Sequence, residues 1–255
     1  MKYWFTLIVM IIYFGNIFYT EEKNIPENEI PMYGYVSIDN SPEKYLPRIV
    51  LDGEDKKYAL KGAVQLAWKY FYEEDYKTSI KRFNQAWMID PACAEVYYGF
   101  GVLLSLEGKR DEAEKFYKKT IDLDSHHPMA MANLARVYKD IAYELYIKKG
   151  ILKLDEEIEE KLNVVLELYE KANQNIGNKT DFRLDSVEND RSYIYYQWAI
   201  ALAFHGEFDL AWEKIELCRE HGGSHLIEQG FIEELSNSMP EPNKPTRDEN
   251  KSKEK

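Results

Sequence analysis

The sequence predicts an all-α protein: a helical-repeat solenoid of about four helix pairs, the third pair enlarged, closed by a C-terminal capping helix. Three observations predict it. Small and aromatic residues recur in the same order at a spacing of 34 residues. The 20 tyrosines concentrate in segments of helical period. Glycine (13) and proline (9) are sparse and fall mainly between those segments, which suits helices with short connections.

Residues 1–20, MKYWFTLIVMIIYFGNIFYT, place one lysine ahead of about sixteen mostly apolar residues, with acidic EEK following. This pattern reads as an export signal, in either of two forms. One is a cleaved signal peptide, although Asn16, Ile17, Phe18, Tyr19 and Thr20 offer no small-x-small cleavage pair. The other is an uncleaved anchor over Tyr3–Tyr19, at about 17 residues the lower limit for crossing a bilayer. The expected location is therefore periplasmic or secreted, or membrane-anchored by residues 3–19. A buried structural helix is the third reading, and no cysteine lies nearby for lipid attachment.

Residues 21–55 form an extended N-terminal segment with two apolar runs, IPMYGYVSI and YLPRIVL, punctuated by proline and glycine. The helix that follows, YALKGAVQLAWKYFYEEDY, is apolar almost all round. A helix of that kind is a buried one, whereas a terminal repeat needs a polar outer face. The preceding segment is expected to fold back onto this first repeat and cover it.

The repeats run over residues 56–225. Ala63, Leu66, Ala67 and Tyr70 lead to Ser79, Phe83, Ala86 and Pro91. In the next unit Tyr97, Phe100, Gly101 and Leu104 lead to Ala113, Tyr117, Thr120 and Ser125. A third step gives Met131, Leu134, Ala135 and Tyr138. Positions three and four apart share one helix face, so a small residue (Ala67, Gly101, Ala135) admits a close neighbour while a ring fills the space beside it. EEDYKTS, EGKRDEA and HGEFDLA occupy the turns within pairs, and MIDPA and DLDSHHP close units. These columns resemble the tetratricopeptide repeat, W-x2-L-G-x2-Y, then A-x3-F, then P. The chain is identified as a member of that family, of an exported or membrane-anchored bacterial type.

The third unit departs from the pattern. Its second-helix columns, Val165, Tyr169 and Ala172, lie 34 residues after Met131, Ala135 and Tyr138, where the repeat expects 16, an excess of about 18 residues. Lys148-Lys149-Gly150 reads as a helix end and Asp155 as the start of the next. Two helices each lengthened by about nine residues, about 13 Å, account for the excess. The fourth unit returns with Tyr195, Trp198, Ala199 and Leu202, then Ala211, Ile215 and Cys218. The unit boundaries are 56–93, 94–127, 128–177 and 192–225. A capping helix takes 226–238, with Phe231, Ile232 and Leu235 apolar, and 239–255 is a disordered tail.

Chemistry-bearing patterns are few. A formal net charge of −12 argues against nucleic acid, which needs a positive face. Cys93 and Cys218 read as small packing residues rather than a disulfide. His126-His127 reads as an exposed polar loop, and His221 and His225 flank GGS off any helix. Glu156, Glu157, Glu159 and Glu160 read as a solvated helix start that favours the macrodipole. Asn178 begins an NKT sequon, relevant only to a eukaryotic source. No catalytic residue, cofactor or metal is expected, and the chain reads as a non-enzyme.

The family resemblance implies a concave groove lined by the first helix of each pair. It places Trp68, Phe71, Tyr72, Tyr98, Asn133, Arg136, Tyr193 and Tyr196 there as partner-binding residues. Val64, Val102, Ala132, Lys139, Gln197, Ile200 and Phe204 accompany them. The lysine and asparagine clamp that some members use for a C-terminal carboxylate is absent from the first two units. The expected function is protein–protein interaction, a peptide segment lying in an aromatic groove, with the membrane involved only through the N-terminal segment. The alternative is an envelope scaffold or assembly factor that uses its outer surface or long hairpin, with its groove self-occupied.

Overall fold

The computed structural model describes residues 26–34, 53–150, 153–177 and 187–242. The expected leader, most of the 21–55 segment, the Asn178 sequon and all but the first residues of the expected tail lie outside the described residues. Among the described residues no helix is long and apolar enough to cross a membrane.

The described chain is helical. In order come α1 (Gly53–Tyr72), α2 (Tyr76–Ile89), α3 (Ala94–Leu106), α4 (Arg110–Leu123), α5 (Pro128–Lys149), α6 (Glu156–Asn175), α7 (Val187–His205), α8 (Phe208–Glu220) and α9 (Gln229–Ser238). Each of α1 to α7 packs on the next in sequence, and the first helices also touch directly, α1 on α3 and α5 on α7. This is a helical-repeat solenoid of four pairs with α9 closing the end.

The same turn chemistry recurs where the sequence repeats. Within the first, second and fourth pairs the backbone closes with one bond across six residues: Asp75 N–H to Tyr70 O, Lys109 to Leu104 and Glu207 to Leu202, at 2.9 to 3.0 Å. Each such turn has one residue in the left-handed region: Glu74 (φ 60), Gly108 (φ 75) and Gly206 (φ 97). Between units, Asp90 and Asp124 each accept a backbone N–H two residues on. Their carbonyls accept the third residue's N–H, from Cys93 and His127.

The third pair is enlarged. Helix α5 has 22 residues against 13 in α3, and α6 has 20 against 14 in α4, so the excess is nine residues in one arm and six in the other. Gly150 ends α5 in the left-handed conformation and Asp155 caps α6 by accepting the Ile158 N–H. Lys149 ties the two ends together by donating to Asp155 and Glu157. Glu156, Glu157, Glu159 and Glu160 face water. A small core of Ala142, Ile158 and Leu162 fills the arms, and Phe204 of α7 packs its ring on Tyr143 and Tyr146.

Residues 26–34 run as two 3-10 turns, Glu27–Glu29 and Pro31–Gly34, and pack on α2. Asn84 of α2 donates to the carbonyls of Asn28 and Ile30 at 3.1 and 2.8 Å. Glu29 pairs with Lys77 and Lys81, and Met32 is buried in the main core. The described strap thus lies on the second helix of the first pair, whereas the sequence points to the first helix as the surface in need of cover. Helix α1 itself buries only Leu60, Val64, Ala67 and Trp68 and leaves Tyr58 and Tyr72 exposed. At the other end Trp212 donates to Met239 O, and Arg219 pairs with Glu241, so the start of the expected tail lies on α8.

Candidate functional site

One residue from each first helix joins a chain that crosses all four pairs. The rings of Trp68 (α1) and Tyr98 (α3) lie 5.6 Å apart. Asn133 (α5) donates to the Tyr98 hydroxyl at 3.1 Å and accepts from the Tyr193 (α7) hydroxyl at 2.9 Å. Both ends of one amide are thereby spent on different neighbours. Trp68, Tyr98 and Asn133 are 2%, 3% and 6% exposed, so most of this spine is interior.

A second network runs beside it. Trp68 Nε1 donates to Glu95 Oε1 at 2.8 Å, and His127 Nε2 lies 3.2 Å from the other carboxylate oxygen. His127 Nδ1 accepts the Ala130 N–H and so caps α5. Accepting at Nδ1 leaves Nε2 as the protonated nitrogen, which donates to Glu95. Glu95 and His127 are both buried. His126 is exposed, but His127 is not the exposed loop residue that the sequence suggested: its ring packs on Tyr98 at 4.7 Å and bridges two units. Sequence reasoning passed over Glu95 as well, although a lone acid inside the apolar run AEVYYGFGVLL was the available signal.

Arg136 lies one turn beyond Asn133. Its Nε is enclosed without a hydrogen-bond partner, and no carboxylate of a described residue lies within ion-pair distance. Its electrostatic neighbours are the phenols of Tyr193, Tyr117 and Tyr169, together with Asp140. These neighbours, Tyr193 foremost, raise the arginine's pKa against the opposing effect of burial. Burial raises the pKa of Tyr193, pushes that of Tyr117 up to about 12, and lifts Tyr169 well above the usual tyrosine range. The Tyr169 hydroxyl is also enclosed and without a partner. One turn further, Lys139 donates to Gln197 Oε1 of α7 at 3.0 Å and lies 3.8 Å from Asp140. Burial lowers its pKa.

The remaining candidates are divided between the core and the surface. Tyr196 is buried against Phe231 of α9 and accepts the Glu228 N–H, so it holds the capping helix. Phe71 is partly buried against Trp68, while Tyr72 is 48% exposed beside it. Both cysteines are free and buried, and burial pushes their thiols up to about 11, so they remain protonated at neutral pH. No group of three or more His, Cys, Asp or Glu side chains suited to a metal ion occurs among the described residues.

No protein-family model matches the chain, and no curated protein matches it. Among solved structures it is similar to one described as "Functional Characterization of Pseudomonas Aeruginosa pilF". That likeness has 16% identity and a TM-score of 0.36, over 71% of this chain and 85% of the other.

Proposed function

We propose that this chain is a tetratricopeptide-type, non-enzymatic protein-interaction module, exported or held at a membrane by residues 3–19, that binds a peptide segment along its first-helix face. The observation that carries the reading is the spine from Trp68 through Tyr98 and Asn133 to Tyr193, which joins the four first helices into one continuous surface. A surface held by packing and hydrogen bonds gives a ligand a preorganised seat and lowers the ordering cost of binding. Because Trp68, Tyr98, Asn133 and Tyr196 are buried, their part is to build that surface. Contact falls to the groups beside them that reach solvent: Phe71, Tyr72, Arg136, Tyr193 and Gln197.

A second reading has its own observation. The first-helix face is largely filled by its own side chains, and the long hairpin exposes Ile147 and Val164 at 39% and 45%. An assembly factor docking through the hairpin would use those. Site-specific photo-crosslinking in cells separates the two. Partner adducts from Tyr72 and Gln197 support the groove, whereas adducts confined to Ile147 and Val164 replace it with the outer-surface scaffold.

A further inference from the structure

We propose that the face of α2 around Asn84, Lys77 and Lys81 is a second peptide-docking site, held closed by the chain's own strap. Its ligand is an extended segment of a partner protein in which an acidic residue is followed closely by a large apolar one. The strap shows what the face accepts. Lys81 and Lys77 hold the Glu29 carboxylate at 2.9 and 3.9 Å. The Asn84 amide takes the carbonyls of Asn28 and Ile30, and Met32 enters the main core. A charge partner, a main-chain clamp and an apolar anchor are together what a peptide site needs.

The strap nevertheless fits this seat poorly. Asn84 is fully buried, yet its Oδ1 has no hydrogen-bond partner. A buried acceptor left unmet is a cost that a better ligand removes. In an extended chain the N–H and C=O of one residue point to the same side, so one residue can satisfy both ends of an amide. The strap uses its donors on itself instead. Within its 3-10 turn the Glu29 N–H goes to Pro26 O at 2.8 Å and the Ile30 N–H to Glu27 O at 3.2 Å. The anchor is strained as well: Met32 and Tyr33 stand at φ 52 and 55, in the left-handed region that side chains disfavour. An extended ligand with the same acid and the same anchor has neither defect. What the strap has in its favour is attachment, since a segment of the same chain acts at a high effective concentration. The face therefore stays closed until a ligand of matching chemistry competes.

The test uses the full chain, as wild type and as Glu29→Lys, which sets a cation of the strap against Lys77 and Lys81 and leaves the face intact. The probe is a fluorescently labelled peptide, acetyl-Asn-Glu-Val-Thr-Met-Tyr-amide, whose β-branched residues favour an extended chain. Saturable binding is expected, at least roughly tenfold tighter to Glu29→Lys than to wild type, because the competing strap is weakened. Methylating the valine nitrogen, or replacing the peptide's glutamate by glutamine, is expected to weaken binding roughly tenfold. Saturating the wild type is expected to lower the exchange protection of the Glu29 and Ile30 amides. Asn84→Ala in the Glu29→Lys chain is expected to abolish binding. Because that change can disturb packing, Lys81→Gln, on a partly exposed side chain, serves as the second variant, with a loss of roughly tenfold. No saturable binding to Glu29→Lys, equal affinity for wild type and Glu29→Lys, or equal affinity for the N-methylated peptide overturns the proposal. A concentration-dependent doubling of mass in the wild type without probe overturns it too, by assigning the face to straps exchanged between copies. No first-helix residue is altered, so each of these outcomes leaves the groove reading untouched.

Discussion

Glu74 occupies the turn position that glycine holds in the second and fourth pairs, at φ 60 against 75 and 97. A side chain there clashes with its own backbone, at about 1–2 kcal/mol, while glycine gives some of that back through unfolded-state freedom. Glu74→Gly is therefore expected to stabilise the protein by about 0.5–1 kcal/mol in urea unfolding, and a loss of stability would refute the shared turn geometry. The opposite sign is expected at Gly99, where an added Cβ would meet the Phe83 ring at 2.2 Å. Gly99→Ala is expected to cost about 1–3 kcal/mol, with Gly62→Ala, which has open space around it, neutral or stabilising. The buried Glu95 gives a third case. Glu95→Ala leaves the N–H groups of Trp68 and His127 unpaired, and a loss of about 2–4 kcal/mol is expected. A loss below about 0.5 kcal/mol would mean that these bonds contribute nothing net.

At the scale of elements, the strap and the hairpin show how far the sequence could be read. The hairpin was legible because its signals are local: Lys148-Lys149-Gly150 and Asp155 are a helix end and a helix start, and the structure uses them so. The strap was legible only in part. Its apolar runs announced burial, but its docking on α2 depends on the amide of Asn84 bonding two carbonyls 56 and 54 residues away. No periodicity encodes such a pair. For the same reason the burial of the groove candidates was not legible: a ring beside a packing column reads alike whether it faces solvent or the next pair. The strap also carries a pH dependence. The hydrogen bond from Lys81 lowers the pKa of Glu29 below its ordinary value. Its contribution is therefore present above the ordinary glutamate range and lost as pH falls through the lowered value. Protection of the amides at residues 28–30 and 32, measured against their intrinsic exchange rates, is expected to fall under acid and in Asn84→Ala at neutral pH. Exchange unchanged in Asn84→Ala would show that the strap is held by something other than that amide.

Over the whole molecule the apolar core is not uniform. The main cluster runs from Met32 through α6 and takes in Ile194 and Ala201 of α7, with Tyr193 and Trp198 packed against it. A second cluster joins α7, α8 and α9, with Leu166 and Trp198 packed against both. Among the described residues the fourth pair is coupled to the rest by these shared contacts, by Phe204 on Tyr143 and Tyr146, and by side-chain bonds from Tyr193 to Asn133 and from Lys139 to Gln197. Stacked repeats share stability through their neighbours, so a terminal pair, with a repeat on one side only, opens before an internal one. Amides in α8 and α9 are expected to exchange through an opening of lower free energy than those in α3 and α4. Tyr193→Phe keeps the ring and removes one bond to a buried amide, so it is expected to widen that gap by about 0.5–1.5 kcal/mol. In the same variant α3 and α4 are expected to keep their wild-type exchange. If every helix instead slows and quickens together, the solenoid is one cooperative unit, and the Trp68–Tyr98–Asn133–Tyr193 chain joins the fourth pair to the others more tightly than its terminal place implies.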